Sequence, residues 1–265
     1  MRRRTLLGAG LGGLAWVSGR APAHALSPPT RFIIHVSGRP GGPVDDSFAP
    51  LIGELQNRGF PATFVHSPVA GSPTPNRDRA ESILKALDQV SDPVAIIGVS
   101  NEGCFLPLVA AARPVRRLVY VNALVPRPGQ AFIEVCQTEQ VAVPDSLLDR
   151  LLKASQEVTD EFMRIRHDPE ASVEDLARMR ERIDASPASR TIVGFYEICP
   201  LNSLPKVETV YVSGSADDQI RPAWEQSVAR RVLGVEPTVI PGAGHASIVS
   251  LYAAQLADAC VAGLG

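Results

Sequence analysis

The 265-residue sequence predicts an α/β fold with a mostly parallel, doubly wound sheet and a helical insertion. Three observations carry this. Short apolar runs recur along the chain, and the stretches between them have helical period. The first two runs are followed by loops rich in Pro, Gly and Ser, "SGRPGGPVDD" and "HSPVAGSPTP". Residues 126–200 contain little that reads as strand and much that reads as helix. The length suits one large α/β domain, and that domain is assigned to residues 26–265.

Residues 1–25, "MRRRTLLGAGLGGLAWVSGRAPAHA", stand apart. An arginine cluster, an apolar stretch from Leu6 to Val17 and a small-residue "AHA" follow one another, which is the three-part layout of an export signal. "RRRTLL" has the character of a twin-arginine signal. The apolar run is about a dozen residues, short of the ~20 that a membrane span needs. The mature chain is expected to start near Leu26 and to be exported to the periplasm or beyond, with no membrane span.

The predicted strands are Phe32–Val36, Ala62–Val65, Val94–Gly98, Leu118–Val121, Val207–Ser213 and Thr238–Ile240. Such continuous apolar runs fit strands buried on both faces of a parallel sheet. Phe48–Asn57 places Phe48, Leu51, Ile52 and Leu55 on one helical face, and Gly59 suits the stop. Arg79–Val90 repeats the pattern with Ile83, Leu84 and Leu87. In the insertion, "DSLLDRLLKASQEVTDEFMRIR", "SVEDLARMRERI" and "ASPASRTIVGFYEI" read as helical. Helices inserted there would roof the carboxyl edge of the sheet, where open α/β sheets bind ligands.

Composition excludes some classes of function. A formal net charge of −2 with no basic stripe gives no basis for nucleic-acid binding. Cys104, Cys136, Cys199 and Cys260 show no C-x-x-C spacing and no neighbouring histidine, so no metal site is expected. Cys136 and Cys199 bracket the insertion; they could form a disulfide or remain buried thiols.

The chemistry-bearing residues fall at strand ends. "VAIIGVSNEGCF" ends a buried strand at Gly98 and starts a helix, which places Ser100 on a tight strand-to-helix turn. Such a turn exposes a nucleophile. A serine hydroxyl needs a base. His35 lies inside the first strand and reads as structural; His66 and His167 read as surface or packing residues. His245 follows the last strand through "PGAGH", whose small residues let a loop carry an imidazole to the same edge. "VYVSGSADDQIRPAW" supplies Asp217 and Asp218, one of which can orient that imidazole. The order Ser100, Asp217, His245 is that of the α/β-hydrolase fold. A tetrahedral intermediate needs fixed N–H donors; Asn101 N–H and, from the loop after the first strand, Arg39 N–H are the candidates.

With these residues in view, the chain resembles the α/β-hydrolase superfamily, and within it the small esterases related to plant methylesterases and hydroxynitrile lyases. The similarity spans most of residues 31–265 outside the insertion, on "FIIHVSGRPGGPVDDSFAPLIGELQNRGF", "VAIIGVSNEGCFLPLVAAA", "RRLVYVNALVPRPGQ", "TVYVSGSADDQIRPAW" and "TVIPGAGHAS". It implies nucleophile Ser100, acid Asp217 in preference to Asp218, base His245, no cofactor and a small-molecule ester substrate. The sequence departs from the family pattern twice. Ser37 replaces the histidine of a His-Gly pair, and Glu102 replaces a glycine of the Gly-x-Ser-x-Gly-Gly elbow. Ser37 and Glu102 are therefore candidates for contact with substrate, Glu102 toward a cationic or hydroxylated group. Its other reading is a favourable charge at a helix amino terminus. The expected activity is a serine esterase working through an acyl-enzyme. The alternatives are a lyase that uses the same three residues as a base, or an inactive binding protein.

Overall fold

The computed structural model describes residues 29–37, 40–67 and 74–264. The proposed export signal and Arg39 lie outside them. Six parallel strands form one sheet in the order β2-β1-β3-β4-β5-β6. They are β1 (Arg31–Ser37), β2 (Ala62–Ser67), β3 (Val94–Val99), β4 (Arg117–Val121), β5 (Glu208–Gly214) and β6 (Thr238–Ile240). Every predicted strand is present, with ends shifted by no more than two residues. The strand order reverses beside β1 and β3, the geometry that opens a crevice at the carboxyl edge.

Alternate residues of each strand feed two cores. Phe32, Ile34, Val36, Ala95, Ile97, Val119, Val121 and Val212 pack against Phe48, Leu51 and Leu55 of α1 (Pro43–Asn57). On the same face lie Leu256 and Cys260 of α10 (Ala253–Val261). On the opposite face Ile33, Ile96, Leu118, Tyr120 and Tyr211 meet α2 (Pro75–Ala86), α3 (Leu106–Ala112) and α9 (Pro222–Val228). Burial on both faces is why the strands read as continuous apolar runs and not as alternating ones.

Between β4 and β5 the chain forms α4 (Phe132–Thr138), α5 (Leu147–Ala154), α6 (Gln156–Arg166), α7 (Val173–Ala185) and α8 (Pro187–Thr191). The helical stretch from Asp145 to Arg166 is broken at buried Ser155, whose Oγ donates to Leu152 O at 3.1 Å. That local bond competes with helix continuation. All four cysteines are free thiols, so Cys136 and Cys199 are not paired. Among the described residues, no helix is long and apolar enough to cross a membrane, and no group of three or more His, Cys, Asp or Glu could hold a metal ion.

Candidate active site

Ser100 begins a 3-10 turn, Ser100–Cys104, immediately after β3, with α3 following. Its φ is 58°, a left-handed conformation that costs a non-glycine residue free energy. Two contacts with the segment after β4 hold it. Leu124 N–H donates to Ser100 O at 2.9 Å. Gly103 lies so close to that segment that an added Cβ would stand 2.0 Å from Leu124 O. Gly103, not residue 102, thus supplies the clearance that the elbow needs.

His245 Nε2 lies 3.0 Å from Ser100 Oγ, and His245 Nδ1 lies 2.7 Å from Asp217 Oδ2. A carboxylate can only accept, so the Nδ1 proton goes to Asp217 and Nε2 is left to accept from the serine hydroxyl. Asp217 is buried, and its second oxygen accepts from the N–H groups of Gln219 at 2.7 Å and Ile220 at 2.8 Å. These bonds fix the carboxylate before it meets the imidazole. Asp218 does not join the chain; it lines the cavity beside it. Gly214 permits the loop after β5 to approach the loop after β6, since a Cβ there would meet Ala243 O at 2.3 Å.

Asn122 is a site residue that sequence reasoning missed. It follows β4, is fully buried and has φ 42°. Its Oδ1 accepts from Gly214 N–H at 2.7 Å, and its Nδ2 donates to Gly244 O at 3.3 Å and His245 O at 3.4 Å. One side chain therefore ties the aspartate loop to the histidine loop. The signal was an asparagine inside the apolar run "LVYVNALV", a buried polar group that must find partners.

Under Asp217 lies a second carboxyl, Glu225, fully buried on α9. Its oxygens lie 3.0 Å from Ser213 Oγ and 3.4 Å from the Tyr211 hydroxyl. Burial first, and then the nearby charge of Asp217, pushes its pKa up to about 9. At neutral pH it is a neutral acid, so it adds no second charge beside Asp217.

Two chambers meet at Ser100 and His245. One, of about 770 Å³, lies under the inserted helices against Leu148, Leu151, Ile192, Phe195 and Ile220. The other, of about 820 Å³, lies between α1 and the Ser100 turn and is lined by Ser37, Phe48, Arg79 and Glu102. Asn101 and Thr191 border both. Volumes of this size accommodate organic groups of drug scale.

The residue of the Ser100 turn with the least expected environment is Glu102. It is only 8% exposed, and its Oε1 accepts from His35 Nδ1 at 2.8 Å. His35 Nε2 in turn lies 2.8 Å from Ser67 Oγ. The carboxylate is neither a solvated helix-terminus charge nor free to bond a ligand through Oε1.

The family model described as the alpha/beta hydrolase family matches residues 6–259. The chain belongs to that family. Among solved structures, an extracellular α/β-hydrolase from a Paenibacillus species is similar at 15% identity, covering 88% of this chain and 98% of that one with a TM-score of 0.53. Its description relates it to tobacco salicylic acid binding protein 2. A pyrethroid hydrolase from Sphingobium faniae is similar at 18% identity, over 88% of this chain and 98% of its own, with a TM-score of 0.51. A thermophilic esterase from Thermogutta terrifontis is similar at 15% identity, over 87% and 88%, with a TM-score of 0.50. At these identities the likeness is one of fold. No curated protein matches the sequence.

Proposed function

We propose that this α/β hydrolase cleaves carboxylic esters through an acyl-enzyme on Ser100. The observation that carries the reading is the continuous bond chain from Ser100 Oγ through His245 to buried Asp217, opening onto two chambers. Ser100 Oγ attacks the acyl carbon as His245 Nε2 takes its proton. The imidazolium then protonates the departing alkoxide, and Asp217 stabilises it throughout. Water, giving its proton to His245, attacks the acyl-enzyme; the bond from Ser100 Oγ to the acyl carbon breaks, His245 returns the proton to Ser100 Oγ, and the acid leaves. Asn101 N–H, the first after the nucleophile, is one donor to the oxyanion; Arg39 N–H, outside the described residues, is the second. The esterase and the pyrethroid hydrolase among the similar structures support an ester substrate, whose two halves would occupy the two chambers. Among the described residues lining either chamber there is no lysine of the kind that the family resemblance links to cyanohydrin cleavage, which favours hydrolase over lyase. Export is supported by the layout of residues 1–25 and by the extracellular origin of one similar structure.

Ser100→Ala tests the reading. Hydrolysis of a short p-nitrophenyl ester should fall by on the order of 10⁵-fold or more, with the fold intact by circular dichroism. Undiminished hydrolysis would overturn it.

A further inference from the structure

The turn that carries Ser100 is strained and is gripped from two sides. On the β4 side the grip is backbone: Leu124 N–H on Ser100 O, and Gly103 pressed against Leu124 O. On the β1 side it is made by side chains. Glu102 Oε1 accepts from His35 Nδ1, and His35 Nε2 is hydrogen-bonded to Ser67 Oγ, both at 2.8 Å. His35 is fully buried and stands edge-on to Phe105, the residue that closes the turn, with ring centroids 4.9 Å apart. β1 and β2 pair in register from Phe32↔Ala62 to Ser37↔Ser67, so the chain of bonds anchors the turn to two strands at once.

The arrangement has a cost that packing alone does not require. Glu102 Oε2 is buried with no hydrogen-bond partner among the described residues. A carboxyl group that is buried and half-satisfied costs free energy, and an apolar side chain of the same volume would avoid that cost. What the carboxylate adds is direction. It fixes residue 102, and with it the peptide of Asn101 that lies between Glu102 and Ser100. A left-handed serine persists only where its surroundings over-determine it.

Resting on the ester-hydrolase reading above, we propose that the Glu102–His35–Ser67 chain is a positioning device: it sets the orientation of the Asn101 N–H and of Ser100 Oγ for attack, and so acts on kcat and not on substrate affinity. Glu102 and His35 are positioning residues; they neither exchange a proton with substrate nor touch the acyl carbon. The device also accounts for one of the two departures in this chain, the glutamate where the elbow ordinarily has glycine, by giving it a buried histidine partner in β1.

The test separates hydrogen bonding from packing. Glu102→Met keeps the volume and removes the acceptor; Glu102→Gln keeps an oxygen for His35 Nδ1–H. On p-nitrophenyl butyrate, Glu102→Met is expected to lower kcat by about 10- to 100-fold with KM within about threefold of the parent. Glu102→Gln is expected to hold kcat within about fivefold. The double variant His35→Phe/Glu102→Met should lose no more than Glu102→Met alone, because the pair acts as a unit. Since it leaves no buried charge, the double variant also supplies the kcat test if the single change does not fold. Melting temperature is measured on each. The proposal is overturned if a folded Glu102→Met or double variant keeps the parent's kcat, if the loss lies in KM, or if Glu102→Gln loses as much as Glu102→Met. These outcomes are distinct from failure of the underlying reading: an active Ser100→Ala protein would sink that reading, whereas a dead Ser100→Ala protein beside a fully active Glu102→Met protein would sink only the positioning role.

Discussion

Among the described residues, two Ser–His–carboxylate chains meet the turn that carries Ser100. In Ser100–His245–Asp217 the distances are 3.0 and 2.7 Å; in Ser67–His35–Glu102 both are 2.8 Å. By bond length alone the second is at least as well formed. Their surroundings differ. Ser100 and His245 open onto both chambers, whereas Glu102 and His35 border only the second, with little or no exposure, and Ser67, 2% exposed, borders neither. Asp217 is satisfied on both oxygens, while Glu102 has one buried oxygen with no partner among the described residues. Ser100 sits at φ 58° on a turn; Ser67 ends an ordinary strand. On the proposed reading, the difference teaches that a Ser–His–carboxylate pattern serves as a nucleophile where strain, solvent access and a fixed carboxylate coincide, and otherwise as a positioning element.

The sharpest way to break this comparison is to make the same amide substitution in both chains. Asp217→Asn should lower kcat by about 10⁴-fold, because the amide presents the wrong partner to Nδ1 and the imidazolium loses its counter-charge. The matching Glu102→Gln change should cost about fivefold at most, because His35 moves no proton. Comparable losses in the two variants, measured on one ester at one pH, would erase the distinction.

A smaller effect is expected from the grip on the opposite side of the turn. Gly103→Ala drives a Cβ into Leu124 O, a backbone atom 2.0 Å away. Relief requires the turn to move, so stability should fall by about 1–3 kcal/mol in urea unfolding, with kcat falling alongside. A neutral substitution would show that this side of the turn has slack.

A prediction on pH dependence, with no change expected in catalysis at neutral pH, concerns the neutral acid beside Asp217. The pKa of Glu225 is raised to about 9 in the fold, so the folded protein keeps a proton that the unfolded chain loses near pH 4.3. Stability attached to this group is therefore greatest below the unfolded pKa. It falls as pH rises from about 4.3 to about 9, with a slope of at most about 1.4 kcal/mol per pH unit, and then levels. Glu225→Gln removes the titration. Relative to the parent, its unfolding free energy should improve steadily from about pH 5 to about pH 9; parallel stability curves would contradict the assignment.

Much of this was legible in the sequence, for a local reason. The central strands are buried on both faces and appear as apolar runs, and Ser100, Asp217 and His245 lie within five residues after the ends of β3, β5 and β6. Asp217 was separable from Asp218 only through the family resemblance. What escaped notice depends on partners distant in sequence. His35 and Glu102 are 67 residues apart, and Asn122 reaches loops 92 and 122 residues away, with no periodicity to betray either link. Short α4 was not foreseen because its seven residues, "FIEVCQT", are too few to show a helical repeat. The break at Ser155 was not foreseen because a serine inside a helical pattern is unremarkable until its bond to Leu152 O is seen.

The account turns on which serine is the nucleophile. Treating the active protein with a fluorophosphonate and locating the adduct by peptide mass spectrometry tests this most directly. One adduct on Ser100, forming in step with loss of ester hydrolysis and leaving Ser67 unmodified, is the predicted result. An adduct on Ser67, or full inactivation with Ser100 unmodified, would contradict it.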